Sequence, residues 1–262
     1  MLNTRRLAAT TALIGACSLL WAGASAGTAS KISIPPYVLA AVNAPGRPAK
    51  QRAIDVDRRP AEAIAFAGVK PGDSVLELVP GGGYYTRILS KVVGPKGKVY
   101  EAFPGPVPMH MGHRTYNGLA AVTKLSHTAA YANVVPLPNA GKSLKIPHKV
   151  DFVWTADNYH DFHNKFFGPL NMLAFNKAVY RDLKPGGIYV IIDHATAPGK
   201  GMTETDTLHR SDPAATKKEV LAAGFKFDGQ SNALAHPSDN HTKVVFALHW
   251  KVDDYLMLFK KP

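Results

Sequence analysis

Cysteine is almost absent from this chain of 262 residues, which has only Cys17. Without a cysteine pair the protein has no disulfide, so its stability must come from an apolar core, and a chain of this length can bury one. The sequence also lacks an H-E-x-x-H motif and any cysteine-ligand spacing. It therefore offers no familiar metal-binding pattern, and we predict no metal site.

Long basic runs are missing as well, although the formal net charge is +12. The basic residues are scattered, with pairs at Arg58-Arg59, Lys217-Lys218 and Lys260-Lys261, and no basic run is interleaved with aromatic residues. This distribution indicates a solvated basic surface that can attract anionic lipid or polymer. We predict no nucleic-acid partner.

The first 26 residues have the pattern of a secretory signal peptide. Arg5 and Arg6 precede the mostly apolar run 7–21, Ala24-Ser25-Ala26 forms an A-x-A cleavage site, and a second candidate site ends at Ala29. An uncleaved anchor is the alternative, but the run contains many small residues and is short for a span of about 20 strongly apolar residues. We expect cleavage, no stable membrane span afterwards, and a periplasmic or secreted protein.

Cys17 provides a further alternative, because Ile14-Gly15-Ala16-Cys17 is similar to a lipobox that would make Cys17 a lipidated N-terminus. The apolar run continues past the cysteine through 18–21, which disfavours a lipoprotein. We therefore divide the chain into a signal peptide (1–26), an N-terminal extension with weak periodicity (27–58) and a folded domain (59–262).

Strand and helix patterns alternate along the domain, with Gly and Pro at the turns. Helices are predicted at 60–67, 84–93, 114–126, 165–183 and 212–224, and strands at 74–79, 98–103, 133–137, 151–156, 188–192, 225–233 and 243–260. The alternation predicts a three-layer, Rossmann-like α/β fold with a mostly parallel seven-stranded sheet. No helix separates the last two strands, so we expect an antiparallel C-terminal edge hairpin.

The stretch 75–86, which reads VLELVPGGGYYT, carries the clearest functional signal. A buried strand containing Glu77 leads into three glycines and a helix that begins at Tyr84. Glycines allow a ligand to approach closer than a Cβ would permit, and the helix N-terminus presents free N–H groups. This combination suits a ligand with a cationic amine, a carboxylate and a nucleoside. A dinucleotide is disfavoured, because Thr86 stands where G-x-G-x-x-G requires its third glycine.

The stretch resembles motif I of class I S-adenosylmethionine-dependent methyltransferases, in which an acidic residue precedes G-x-G-x-G and often two aromatics and a threonine. Glu77, Gly81, Gly83 and 84–86 match that motif, whereas Val79 replaces the first glycine. The segment 183–187, Leu-Lys-Pro-Gly-Gly, is similar to the L-K-P-G-G turn of the same family. The resemblance spans about 59–262, and with the leader it is similar to the exported predicted methyltransferases of Gram-negative bacteria.

The resemblance implies S-adenosylmethionine as the cofactor and assigns a set of residues to it. Glu77 should lie near the amino-acid end, and the turn should pass close to the ligand. The family's ribose-binding acid falls on Phe103, so either Glu101, two residues earlier, takes over or the contact is missing. Asn139, after the third strand, is a candidate for the adenine. The cofactor-binding set is Glu77, Val79, Pro80, Gly81, Gly82, Gly83, Tyr85, Glu101 and Asn139.

Candidate catalytic residues follow the fourth and fifth strands, because ligands of open α/β sheets bind beyond the carboxyl ends of the strands. Asp157, His160 and Asp193 are the candidates for acceptor binding and proton removal. Helix capping and loop hydrogen bonds are the simpler structural alternative. His160 and His163 could instead face one metal ion, with Asp193 and His194 nearby.

Three functions stay open on the sequence. The first is a methyltransferase that acts on a small molecule or an envelope component. The second is a non-catalytic exported binding protein built on the same scaffold, and the third is a metal-dependent or His/Asp-based hydrolase. The fold alone does not separate them.

Overall fold

The computed structural model describes residues 32–105, 109–111, 114–165, 168 and 170–262. Its strands are β1 Ser74–Leu78, β2 Lys98–Ala102, β3 Met109–Met111, β4 Arg114–Tyr116, β5 Val134–Leu137, β6 Val150–Ala156, β7 Leu183–His194, β8 Lys226–Ser231 and β9 Asp254–Lys260. Seven of these strands form one sheet in the order β5-β2-β1-β6-β7-β9-β8, and β3 and β4 form a separate hairpin.

The helices are α1 Pro36–Val42, α2 Ala49–Ala53, α3 Asp55–Arg58, α4 Pro60–Ala67, α5 Tyr84–Val93, α6 Ala120–Ser126, α7 Met172–Asp182, α8 Thr205–Leu208 and α9 Pro213–Ala222. Short 3-10 turns lie at Ala129–Tyr131, His160–His163 and Val245–Leu248. Even the longest helix of the described residues, α7, has 11 residues, and none of these helices combines the length and hydrophobicity that a membrane span requires.

The sheet is mostly parallel, as predicted. β1 pairs in parallel with β2 and β6, and β6 pairs in parallel with β7, whereas β9 is antiparallel to both β7 and β8. The predicted antiparallel C-terminal pair is therefore confirmed. Its last strand, β9, lies inside the sheet, and β8 forms the edge.

Apolar clusters on the two faces of the sheet make three layers. Val75 of β1 belongs to the cluster that includes residues of α1, α4 and α5, whereas Leu76 and Leu78 belong to the cluster that includes residues of α7 and α9. Successive strand residues point to opposite faces, so each strand supplies both cores. This explains why the central strands read as continuous apolar runs.

Several predicted boundaries shift in the structure. The predicted helix at 114–126 is wrong in its first part, where β4 and a loop precede α6. Gly118 lies in that loop against Phe103, and a Cβ at Gly118 would be 2.2 Å from the Phe103 ring. The predicted helix at 165–183 begins only at Met172, where Asn171 caps it by accepting from the Ala174 N–H at 3.0 Å.

Residues 32–58, within the predicted extension, contain α1, α2 and α3. Val38 and Ala41 of α1 are buried in the same cluster as residues of α4 and α5. The predicted signal peptide, its cleavage sites and Cys17 all lie outside the described residues, so the leader stays a prediction.

Candidate functional site

The glycine turn joins β1 to α5 through left-handed backbone conformations. Val79, Gly81 and Gly83 have φ angles of 54°, 54° and 72°. The Gly83 N–H donates to the Pro80 carbonyl at 2.9 Å and closes the turn. Val79, which stands where the resembled motif has a glycine, therefore has a left-handed backbone conformation that is strained for a β-branched residue.

The outer side of this turn faces open space. A Cβ built on Gly81 or Gly82 would meet no atom within 4 Å, whereas one on Gly83 would be 2.8 Å from the Arg87 guanidinium. The Gly82 carbonyl accepts from Arg87 at 2.7 Å and from Gln51 of α2 at 3.2 Å. The backbone at Gly81 and Gly82 is therefore open to the close approach that glycine permits.

Glu77 and Glu101 face each other from neighbouring positions on β1 and β2. Both are buried, and the Thr86 hydroxyl of α5 donates to Glu77 at 2.7 Å. The two carboxyls are close enough to interact electrostatically, but neither Glu101 oxygen has a hydrogen bond of good geometry among the described residues. Glu101 is 0% exposed, and this burial argues against its predicted contact with a ribose.

The rest of the predicted cofactor set lies around the turn in different environments. Pro80 is buried, and the Tyr85 ring packs against Trp154 with ring centroids 5.0 Å apart. Asn139 is exposed in the segment after β5. Phe103 is buried at the end of β2, so the position that would hold the ribose acid is apolar.

Arg58 of α3 connects the glycine turn with the ends of the later strands. Its guanidinium lies over the rings of Tyr84 and Trp250, 4.4 and 4.9 Å from their centroids. It also pairs with the Asp157 carboxylate at 2.6 Å. The cation–π contacts and the ion pair hold this cation at the junction of three chain segments.

A cavity of about 470 Å³ lies beyond the carboxyl ends of β6 and β7. Its lining combines acidic and histidine side chains with apolar ones: Asp157, His160, Asp161, His194, His209, Val245, Phe246, His249, Trp250 and Val252. Its volume is within the range of small-molecule sites. The predicted Asp157 and His160 thus share a cavity.

The predicted Asp193 lies behind the cavity wall. It is 0% exposed, accepts from the His160 backbone N–H at 2.8 Å and lies 2.7 Å from His160 Nδ1. The Ser211 hydroxyl donates to the same carboxylate at 2.6 Å. Asp193 therefore fixes the orientation of the His160 ring and is a positioning residue.

A second carboxylate–histidine pair lies beside the first. His194 Nδ1 is 2.6 Å from Asp254 Oδ1, and the His160 and His194 rings are 5.6 Å apart. Burial disfavours the charged imidazole, but the Asp254 carboxylate raises the pKa of His194 above its usual value. The sequence prediction missed the pairing with Asp254, which begins a strand sixty residues later.

Asp161 lies between two histidines. Its Oδ1 is 3.3 Å from His160 Nε2 and 3.6 Å from His209 Nδ1. Burial opposes the charge on His160, but Asp193 and Asp161 raise its pKa to about 10. His163, the alternative partner of His160 for a metal ion, contacts Glu219 of α9 at 3.2 Å instead.

Backbone strain is concentrated around this cavity. Four of its lining residues have positive φ angles without being glycine: Asp157 (60°), His209 (56°), His249 (48°) and Trp250 (73°). Such conformations persist where the surrounding structure enforces them, and they cluster at binding sites. Sequence patterns gave no signal for His249 or Trp250, which come from loops.

No known family profile matches the chain. Its sequence is similar to the ubiquinone/menaquinone biosynthesis C-methyltransferase UbiE of Psychromonas ingrahamii, with 29% identity over 136 residues, 51% of this chain and 47% of that enzyme. UbiE of Photorhabdus laumondii is 28% identical over 134 residues, 50% of this chain and 46% of that enzyme. The chain spans about half the length of the curated relatives it matches.

Solved structures share the fold over most of the chain. An S-adenosylmethionine-dependent methyltransferase from Aquifex aeolicus has a TM-score of 0.55 at 21% identity, over 82% of this chain and 99% of that one. The [4+2]-cyclase SpnF has a TM-score of 0.52 at 13% identity, over 82% of each chain. The chain has the Rossmann-like fold of these methyltransferases, and the cyclase shows that this fold also carries other reactions.

Proposed function

We propose that the protein is an S-adenosylmethionine-dependent methyltransferase acting on a small, largely apolar acceptor. The observation that carries this proposal is the direct connection between the open glycine turn and the cavity. Asn158 donates to the Val79 carbonyl at 3.4 Å, and Arg58 contacts both Tyr84 and Asp157. A cofactor at the turn would therefore have its reactive end beside the cavity.

The cofactor would lie on the turn at Gly81 and Gly82, where no side chain obstructs it. The Arg58 guanidinium, which also lies over the Tyr84 ring at the turn, offers a cation for the carboxylate of its amino-acid end. Glu77 is buried, and its carboxylate accepts a hydrogen bond from Thr86, so it would act on the cofactor through its charge and not by direct contact. The similarity to the UbiE enzymes, which the name describes as C-methyltransferases, supports this cofactor.

Methyl transfer from a sulfonium is an in-line displacement, so the protein mainly has to position the two reactants. The bond between the acceptor atom and the methyl carbon forms as the S–C bond breaks, and S-adenosylhomocysteine leaves as a neutral thioether. An acceptor with an ionisable proton passes it to a base. His194 is placed for this role, since Asp254 binds its Nδ1 and leaves Nε2 for the cavity.

The cavity wall indicates the kind of acceptor. Phe246 and Trp250 are 72% and 45% exposed, although both are large and apolar, and Val245 and Val252 extend the same wall. Exposed apolar groups beside a polar floor favour an aromatic or lipophilic small molecule, including an envelope component. The quinone biosynthesis named for the relatives agrees with such a class.

Calorimetry on the full chain tests the proposal, with S-adenosylmethionine and S-adenosylhomocysteine as separate titrants. Gly81→Val should abolish binding, because a side chain would enter the open space along the turn. Gly72→Val is the matched control: Gly72 also has a positive φ, 92°, and open space around its Cβ, but it precedes β1 at the opposite end. No binding by the wild type, or equal loss in both variants, would contradict the proposal. Binding without turnover on aromatic acceptors would favour a non-catalytic binding protein.

We also propose that the protein works in the periplasm or outside the cell. The proposal rests on the leader pattern 1–26 alone. Cell fractionation with mass determination of the N-terminus tests it. Cleavage after Ala26 or Ala29 would support export, lipidation at Cys17 would place the protein on a membrane, and an intact leader in the cytoplasm would refute export.

A further inference from the structure

We infer that His160, Asp161 and His209 form a binding site for a divalent transition metal ion of the zinc class. The three side chains come from the 3-10 turn after β6 and from the loop after α8. One ligand atom from each lies within 4.8 Å of the others. Two imidazoles and one carboxylate are a ligand set that zinc and related ions accept, with positions left for water or substrate.

The separations between Asp161 and the two histidines are close to those around a bound ion. Asp161 Oδ1 lies 3.3 Å from His160 Nε2 and 3.6 Å from His209 Nδ1. Two ligands bound tetrahedrally at about 2.0–2.1 Å from zinc are separated by roughly 3.3–3.4 Å. An ordinary N–H···O hydrogen bond is shorter, about 2.9–3.0 Å between heavy atoms.

Groups behind these ligands hold them in a fixed orientation, as the outer-shell partners of metal sites do. Asp193 binds His160 Nδ1 at 2.7 Å, which leaves Nε2 as the nitrogen that faces Asp161. The Asn164 amide donates to the Asp161 carboxylate at 2.9 Å. A carboxylate behind a histidine and a hydrogen bond to a ligating carboxylate fix both groups before the ion binds.

The other nearby triad, Asp157, His194 and Asp254, is less suited to an ion. Asp157 already forms an ion pair with Arg58 at 2.6 Å, and His194 is already hydrogen-bonded to Asp254 at 2.6 Å. A metal at the first triad would face the same cavity as His194. Its use there rests on the proposed function: the ion would bind an oxygen of the acceptor and lower the pKa of that group.

The test is a titration of the untagged full chain with Co²⁺, followed by visible absorption and by displacement with Zn²⁺. We expect one equivalent to bind with the intense bands of a low-symmetry site. His209→Gln should weaken Co²⁺ binding by about 100-fold or more, because the loss of a ligand should cost at least as much as the roughly 10–100-fold that is typical for loss of an outer-shell partner. His163→Gln is the matched control, since His163 contacts Glu219 and not Asp161, and it should leave the affinity unchanged.

Asp161→Asn is the second variant, and far-UV circular dichroism checks that each variant is folded. Absence of Co²⁺ and Zn²⁺ binding by the folded wild type would overturn the inference and leave the cluster as an ion-pair network. Equal affinity of wild type and His209→Gln would overturn it as well. Cofactor binding is measured separately by calorimetry. A wild-type protein that binds metal but does not bind S-adenosylmethionine would refute only the proposed function.

Discussion

Replacing Glu101 with glutamine should change how the stability of the protein depends on pH. Glu77 and Glu101 are buried side by side on β1 and β2, and water reaches neither carboxylate freely. Burial raises the pKa of Glu77 to about 7, despite the opposing hydrogen bond from Thr86. Burial and the charge of Glu77 together raise the pKa of Glu101 well above its usual value.

The sign follows from proton linkage. A carboxyl group whose pKa is raised by folding favours the folded state at low pH and loses that contribution as the pH rises through its folded pKa. Since one pKa unit corresponds to about 1.4 kcal/mol, ionising Glu77 costs roughly 3 kcal/mol more in the folded protein than in the unfolded chain. Glu101→Gln removes the second shifted carboxyl group, whose own pKa is raised well above its usual value, and keeps a hydrogen-bond donor for Glu77, so the part of the pH dependence that comes from Glu101 should disappear.

Urea unfolding at pH 5 and pH 8, followed by tryptophan fluorescence, measures the effect. We expect Glu101→Gln to unfold with a free energy about 1–3 kcal/mol above the wild type at pH 8, and within about 1 kcal/mol of it at pH 5. Glu62→Gln on α4 is the control for replacing a half-buried glutamate outside the Glu77–Glu101 pair. A Glu101→Gln difference that is the same at both pH values would refute the reasoning.

Two further predictions concern the backbone. Val79→Gly should change the free energy of unfolding by less than about 1 kcal/mol, because relief of the left-handed strain offsets the lost side-chain burial. Val153→Gly, in the middle of β6, has no such strain to relieve and should cost about 3 kcal/mol or more. Asp212→Ala should cost more than the roughly 1 kcal/mol expected for Asn171→Ala, because Asp212 caps α9 and also accepts from two backbone N–H groups at 199 and 201, whereas Asn171 only caps α7. Chemical denaturation gives the free energy of unfolding of each variant. If the two variants of a pair lost the same free energy of unfolding, the argument for that pair would be contradicted.

The fold could be predicted because its signals are local. Helix α5 has the predicted bounds, and so does α4, where Pro60 and Gly68 mark the two ends. Strands that are buried on both faces read as short apolar runs, and glycine and proline separate them. The position of β9 between β7 and β8 could not be deduced in this way, because strand order depends on packing between distant segments.

The candidate site was predictable only where it follows a strand end. Asp157 and His160 share the cavity because parallel strands bring their carboxyl ends to one edge. Asp193 shows the limit of that rule, since alternation along β7 turns its carboxylate behind the cavity wall toward Ser211. His249 and Trp250 gave no signal, because they lie in loops without periodicity and have left-handed backbone conformations.

The N-terminal extension contributes to the candidate site through charge rather than through periodicity. Asp55 accepts from Tyr84 at 2.5 Å, and Arg58 reaches Asp157, so α3 contacts both the start of α5 and the end of β6. A short helix with alternating charges has no apolar face to reveal its place in the fold. Its side chains nevertheless supply the cation between the glycine turn and the cavity. The functional unit that we propose therefore requires residues before 59, because without Arg58 the half-buried Asp157 carboxylate would lose its cation.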